Sequence, residues 1–520
     1  MRSRLPVCRR MPFLIALLML GSAMLWAQSS PTPPADNDAM KETVQQLQRQ
    51  IGELRDAVAE VRSEAAQYRA ETAELKRELE AMRAQSSATA SVSNAAAASQ
   101  PGAQETEQAS APRSLVQRVS TLEENTELLD SKLNDEYQTK VEAASKYRVR
   151  LSGIVLLNLF SNRGQTDNQD IPSFVTGPNV SGNFGATLRQ SEIGLEAFGP
   201  TLAGATTSAN LQADFSGGFS NTWNGVDSGV FRLRIASARM DWDRTSIVAG
   251  QDDLFISPLS PTSFASLAVP ALNYAGNLWA WTPQVRVEHR FDVGTNQTVT
   301  IQGGILDNLT GSFPGDSYFR TPDPGELSSQ PAYGIRTSWT SNFLGRPLTL
   351  GAAGYYGRQV WNSNQHVDGW AGMTDWNIPL TRWLGLSGEF YRGRAIGGIG
   401  AGISRSVVFS GNPSSPNTYV EGLDSVGGWS QLKFKLNSKL EFNTAFGLDN
   451  PFASELRTGA TSQPYVGMLL TQNRSGFVNF IYRPRSNLLF STEYRFLQSF
   501  PLYQSSENAE QVNVMMGVLF

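Results

Sequence analysis

Four things are scarce in this chain. It has 520 residues but one cysteine, Cys8, and two histidines, His289 and His366. A single cysteine excludes intramolecular disulfides and thiolate metal cages. Two isolated histidines supply no ligand cluster, and no nucleophile elbow or phosphate loop accompanies them. The glycine-rich "RGRAIGGIGAGIS" runs into a long loop rather than a helix, so it lacks the context of a phosphate cradle. The residues therefore point to no enzyme, no cofactor and no metal. Charge of one sign is lacking too. The formal net charge is -4, and charged residues make up 17%. That removes any bulk-charge argument for nucleic acid. Past the N-terminus, no apolar run approaches the roughly 18 residues of a membrane-spanning helix.

The N-terminus itself has a clear pattern. Arg2, Arg4, Arg9 and Arg10 precede the apolar "MPFLIALLML", and "AMLWAQSS" offers a small residue at Ala27. This predicts a secretory signal peptide over 1–27. Cys8 lies within it, so the exported chain would hold no cysteine. Residues 28–39 read as a flexible leader. From Val44 the apolar positions Leu47, Ile51, Leu54, Val58 and Val61 recur at alternating spacings of three and four. That heptad seam, continued to Met82, predicts a coiled coil over 40–84. Its mixed seam residues leave the oligomer number open. An Ala/Ser-rich linker occupies 85–113 by composition. A second short coiled-coil helix is expected over 114–138, on Leu115, Val119, Leu122, Leu129 and Leu133.

From Tyr147 the period becomes two. Val149, Leu151, Val155, Leu157 and Leu159 share one face of the first strand, and Arg148, Arg150, Ser152 and Asn158 the other. About sixteen such segments follow each other to residue 520. They begin at 147–159 and 184–198, include 231–242, 245–250, 347–357 and 369–377, and end at 509–520. Short connections such as "DR", "VGTNQ", "SK" and "PRS" alternate with long ones such as 161–183, 251–282, 307–332 and 393–427. This is the layout of an outer-membrane barrel. The fold class expected is an all-β transmembrane barrel over 147–520, preceded by the α-helical coiled coil. The lipid bilayer is then a partner, and the location is the outer membrane of a Gram-negative cell, with the coiled coil in the periplasm. Trp242, Phe291, Trp339, Trp376, Trp383 and Tyr482 lie beside short turns. Trp279, Trp281, Tyr355, Tyr356 and Phe500 lie beside long loops. Two aromatic girdles are expected from them.

If the apolar parity faces lipid, the other faces the lumen. Basic candidates there are Arg148, Arg150, Arg232, Arg234, Arg286, Arg290, Arg336, Lys433, Lys435 and Arg495. Acidic candidates are Glu192, Glu196, Glu288, Glu441 and Glu493. In "FRLRIA", Phe231, Leu233 and Ile235 are assigned outward and the two arginines inward. A basic lumen attracts anions, and arginine grips carboxylate or phosphate bidentately. Small anionic solutes are the expected permeants. The alternative for some of these arginines is pairing with lumen glutamates. The apolar loop 251–282 is expected to fold inward and narrow the pore, with packing over the mouth or on a neighbouring subunit as the alternative. The chain ends "VNVMMGVLF", a strict period-two strand, and an edge left there would be exposed unless the barrel closes on it. Phe520, the final aromatic, reads as an assembly signal for the barrel-assembly machinery.

"ATLRQSEIGLEAFGP", "ANLQADFSGGF", "FRLRIASARMDW", "VAGQDDLF" and "WTPQVRVEHRF" resemble the opening strands of DcaP-like trimeric outer-membrane porins. The resemblance covers about half the chain. It implies a homotrimer of sixteen-stranded barrels with an N-terminal coiled coil, passing small anions such as dicarboxylates through a basic constriction. Arg232 and Arg234 match the family's "RLR". Glu192 stands where the family tends to have arginine, and "IASA" follows the arginines instead of an aromatic. The runner-up reading is a structural barrel anchor whose coiled coil tethers the outer membrane to the cell wall; no folded wall-binding domain is expected ahead of Val44.

Overall fold

The structure, a computed structural model, describes residues 148–219, 229–311, 320–361, 364–412, 415, 417–459 and 469–520. The signal peptide, leader, both heptad segments, linker and Tyr147 lie outside the described residues. The strands in chain order are β1 Arg148–Thr166, β2 Val175–Thr187, β3 Glu192–Phe198, β4 Thr206–Asp214, β5 Arg232–Asp241, β6 Thr245–Asp253, β7 Trp281–Gly294, β8 Gln297–Leu306, β9 Ala332–Phe343 and β10 Arg346–Trp361. They continue as β11 Gln365–Pro379, β12 Leu384–Arg394, β13 Val407–Phe409, β14 Val420–Gly422, β15 Asp424–Lys435, β16 Leu440–Pro451, β17 Leu470–Arg485, β18 Leu488–Pro501 and β19 Glu507–Leu519.

β13 and β14 form a separate ribbon, and the other 17 strands make one antiparallel sheet. β2 and β3 share one stave: both pair with β1, the first through Asn158↔Thr187 and the second through Ile154↔Glu192. The sheet is thus a sixteen-stave barrel. It closes where β1 meets β19, in register from Ile154↔Leu519 to Arg163↔Glu510. Closure leaves no edge, which is the condition for a sheet to cross a bilayer. Val155 and Leu157 are exposed on the outside while Leu156 and Asn158 are fully buried inside. β19 repeats the pattern: Val512, Val514, Met516 and Val518 point out, Asn513 and Met515 in.

Three readings are corrected. The second strand is not continuous over 184–198. It starts at Val175 and breaks between Thr187 and Glu192. Arg189, Gln190 and Ser191 are all buried there. Strict alternation would aim one of these polar side chains at lipid; the break turns all three inward. Ser191 Oγ accepts the Leu156 amide across it (3.0 Å), replacing a ladder bond. Next, the register of β4 and β5 shifts between Gln212 and Ala213. The bulge reverses parity, so Ile235, expected outward, is buried at 5% exposure while Leu233 stays 45% exposed. Finally, the staves run further toward the long-loop side than expected: β10 reaches Trp361 and β11 begins at Gln365. Side-chain periodicity fades where a strand leaves lipid, because neither face is then forced to be apolar.

Candidate functional site

Residues 254–280, between β6 and β7, lie inside the barrel. Their composition dictates this. The apolar side chains cannot stay in water, and the three prolines Pro258, Pro261 and Pro270 remove amide donors that burial would leave unpaired. Phe255 and Ile256 pack against Leu306, Tyr355, Met373 and Tyr391 of the wall. Leu272 and Ala275 meet Trp429 and Phe477, and Ala265 meets Leu156, Leu489 and Met515. Wall side chains accept the remaining donors. Glu389 takes Ser257 Oγ (2.6 Å) and the Leu259 amide (2.8 Å). Gln431 takes the Thr262 amide (2.8 Å), and Glu493 takes Ser263 Oγ (2.5 Å). Gln190, turned inward by the strand break, accepts the Leu267 amide (2.9 Å) and donates to the Ala265 carbonyl (3.1 Å). The loop is thereby fixed around the inner wall, and the expected inward fold is what the structure has.

Between loop and wall a cavity of about 380 Å³ remains. Its wall side is Arg234, Asp253 and Trp281; its loop side mixes apolar residues such as Phe264, Leu267 and Leu278 with hydroxyls from Ser257, Ser263 and Ser266. The guanidiniums of Arg232 and Arg234 stand 4.9 and 4.6 Å from the Trp281 ring. Trp279 packs edge-on to Trp281 at 5.1 Å and donates to Asn273 Oδ1 (2.5 Å). Both tryptophans, expected in the lipid-side girdle at the long loops, lie instead along the loop cavity inside the barrel. Tyr355, also assigned to the girdle, is buried inside and donates to Asn308 Oδ1 (3.1 Å).

The basic candidates fall into two groups. In the first, carboxylates lie at hydrogen-bond distance. Arg232 pairs with Asp214 (2.6 Å), and Arg234 with Glu192 and, further off, Asp214 (3.8 Å). Arg286 bridges Asp252 and Glu288, both at 2.8 Å. Arg336 holds Asp375 through two nitrogens (2.7 and 3.0 Å), and Arg495 holds Glu493 (2.6 Å). Except at Arg234, these are charge-assisted bonds of full strength, so their cations are largely neutralised. In the second group contacts are long. Lys433 and Lys435 each stand 3.7 Å from Glu441, and Arg150 stands 3.4 Å from Glu196. Arg148 lies 5.8 Å from the Phe198 ring. Arg290 makes a 3.5 Å contact to the Asp243 carbonyl. All five lie at strand ends next to short turns or at the start of β1.

The basic excess read from sequence therefore does not hold on the wall around the inward loop. Asp214, Asp241, Asp252, Asp253 and Asp375 face the lumen and were missed, as were Arg239 and Arg483. Asp252 and Asp253 stand in "QDD", which looks like the start of a loop but belongs to β6. Asp375 had a usable signal, since it shares parity with the inward Ala371 and Met373.

No family model matches the chain, and no curated protein matches it in sequence. Among solved structures, the outer membrane channel DcaP of Acinetobacter baumannii superposes with a TM-score of 0.55 at 18% identity, over 72% of this chain and 99% of that one. The anion-selective porin from Comamonas acidovorans gives 0.45 at 11% identity, over 72% and 100%. OprB of Pseudomonas putida gives 0.42 at 12%, over 72% and 94%. The chain thus shares a DcaP-like barrel fold; at these identities the likeness is one of fold.

Proposed function

We propose that this chain is a passive diffusion channel of the outer membrane, a homotrimer, admitting small solutes and favouring anions, with the coiled coil of 40–84 and 114–138 in the periplasm. One observation carries the channel reading: a closed barrel holds an inward loop that leaves an open cavity, of mixed apolar and hydroxyl lining, instead of filling the lumen. An anchor needs a barrel but has no use for such an opening. The anion preference rests on the loosely paired cations near the short turns, Arg148, Arg290, Lys433 and Lys435, rather than on the paired constriction. Small anionic solutes, carboxylates among them, are the permeants in this reading, and Phe520 guides assembly by the barrel-assembly machinery.

Single-channel recording in planar bilayers tests it. In a salt gradient the reversal potential favours anions. The preference fades with salt as the Debye length falls from about 10 Å at 0.1 M to about 3 Å at 1 M. A folded, inserted barrel that conducts nothing leaves the anchor reading in its place.

A further inference from the structure

Asp253 ends β6 and stands directly across from Trp281 in the register of β6 and β7. Both line the cavity between wall and loop, and Trp279 lines it with them. Asp253 is exposed there. Among the described residues no cation stands at ion-pair distance from its carboxylate; Arg234 and Arg286 act on it only from further off. The surrounding wall has no cation left over for it. Arg232 and Arg234 meet Asp214 and Glu192. Arg239 meets Asp241 and Glu288, and Arg286 meets Asp252 and Glu288. Four arginines thus face five carboxylates, and Asp253 is a sixth, which gives this stretch of wall a formal charge of -2. The rings add a second preference. Trp281 already faces the guanidiniums of Arg232 and Arg234. Trp279 meets it with the ring planes 71° apart, so the two indoles form a corner. Among the described residues no cation lies over Trp279. A carboxylate without a counter-ion supplies charge. An indole beside it supplies a surface that attracts an alkylammonium by its quadrupole and by its area.

We propose that the loop cavity binds the ammonium group of a small organic cation, with Asp253 as counter-ion and Trp279 as ring contact. Arg234 lines the same cavity but does not cancel Asp253: its side chain is 12% exposed and is shared between Glu192 and Asp214. The lumen then has two regions of opposite sign, the loosely paired cations near the short turns and this carboxylate at the inward loop. A solute that carries only negative charge finds repulsion at Asp253, and one that carries an ammonium finds a partner. The site's role in transport rests on the channel reading; the binding itself does not.

Choline chloride is the probe, since its charge is independent of pH and its head is a quaternary ammonium. Measurements use the intact barrel in about 0.1 M potassium chloride, where the Debye length is about 10 Å. In planar bilayers millimolar choline interrupts the current of the parent. In D253N the same block needs at least tenfold more choline. Asp253 makes no ion pair, so D253N keeps every wall contact, and heat modifiability confirms that it and W279L are folded. By calorimetry on detergent-solubilised protein, choline binds the parent, binds W279L at least tenfold more weakly, and does not bind D253N. Equal block or equal binding in parent and D253N overturns the site. Equal choline affinity in parent and W279L overturns the organic-cation class and leaves a carboxylate that any cation can screen. A barrel that binds choline through Asp253 but never conducts overturns the channel reading and leaves the site standing.

Discussion

At the scale of the residue, pairing decides what each lumen charge does. Arg336 and Asp375 are 8% and 5% exposed and joined by two hydrogen bonds. Removing one partner of such a pair strands the other, at a cost of about 3–5 kcal/mol, whereas replacing both with apolar groups of similar volume is close to neutral. Asp375→Asn should therefore lose most of that amount in guanidinium unfolding of the refolded barrel, and R336M/D375L far less. A loss below about 1 kcal/mol in D375N would place the pair in solvent, where such bonds are worth little. The arginines beside the constriction cavity give a second expectation. R232S/R234S leaves Asp214 and Glu192 without their cations, so two uncompensated negative charges appear. The reversal potential should move toward cations; an unchanged value removes both pairs from the solute's path. The sequence made the inward arginines legible by parity alone. It concealed their partners, because a bulge in β5 broke the alternation on which parity depends and the last residues of β6, Asp252 and Asp253, read as loop. Glu192, visible as a departure from the DcaP-like pattern, proves to be the partner of Arg234.

Elements carry the next level of control. The inward placement of 254–280 was legible in its apolar, proline-rich composition. Its anchors were not, since Glu389, Gln431 and Glu493 come from staves far along the chain. The two ends of the segment meet: Ser257 Oγ lies 3.0 Å from the Leu278 carbonyl oxygen. Excising 258–276 and joining the ends through two glycines should spare every barrel ladder and raise conductance severalfold. Equal conductance would mean that the limiting section lies elsewhere. A second element shows pH dependence outside the membrane-spanning strands. A short 3-10 turn, Glu326–Ser328, follows β8. Asp323 and Glu326 accept each other's backbone amides, both at 2.9 Å. Burial raises the pKa of Asp307, and repulsion from Glu326 and Asp323 adds to it. Burial likewise raises Asp323. Glu326 is lowered, first by the Asp323 amide. For the raised pair, the folded state holds protons more tightly than the unfolded. Their contribution is full below the unfolded value of about 3.9 and is lost as pH rises through the folded value. Glu326 acts oppositely, weakening the turn only as pH falls through its lowered value. Between those limits mild acidification should firm this loop. Hydrogen exchange over 320–331, corrected for intrinsic rates, should show protection rising as pH is lowered from neutral toward the unfolded carboxylate value of about 3.9, and D307N should flatten the rise. Protection that falls over that range would contradict the sign.

For the molecule as a whole, closure was the most legible property. Period two over the last strand, an even stave count and alternating turn lengths all required that β19 meet β1. The reason is physical: lipid requires an apolar outer face on every stave, so the closed sheet shows in the pattern even where a break or bulge resets the parity. The seam also holds a tight constraint in the barrel wall. The Gly153 amide donates to the Phe520 carbonyl (2.9 Å) and the Phe520 amide to the Gly153 carbonyl (3.1 Å). A Cβ at 153 would lie 2.4 Å from the Glu192 carbonyl oxygen and 2.6 Å from the Phe520 ring. The first contact is backbone of the neighbouring stave and cannot yield; the second is a side chain and can. Gly153→Ala should therefore lower the fraction of heat-modifiable, folded barrel in cells and on refolding in detergent alike. Adding Phe520→Ala should restore little of it, because the backbone clash remains. Phe520→Ala alone separates two roles. As packing, the ring is worth about 1–3 kcal/mol of burial, which a barrel of sixteen paired staves can lose and still fold in detergent. As an assembly signal, its loss should reduce folded protein in cells while leaving detergent refolding and conductance at the parent level. Full assembly of F520A in cells would confine Phe520 to packing, and full assembly of G153A would show that the seam is free to shift.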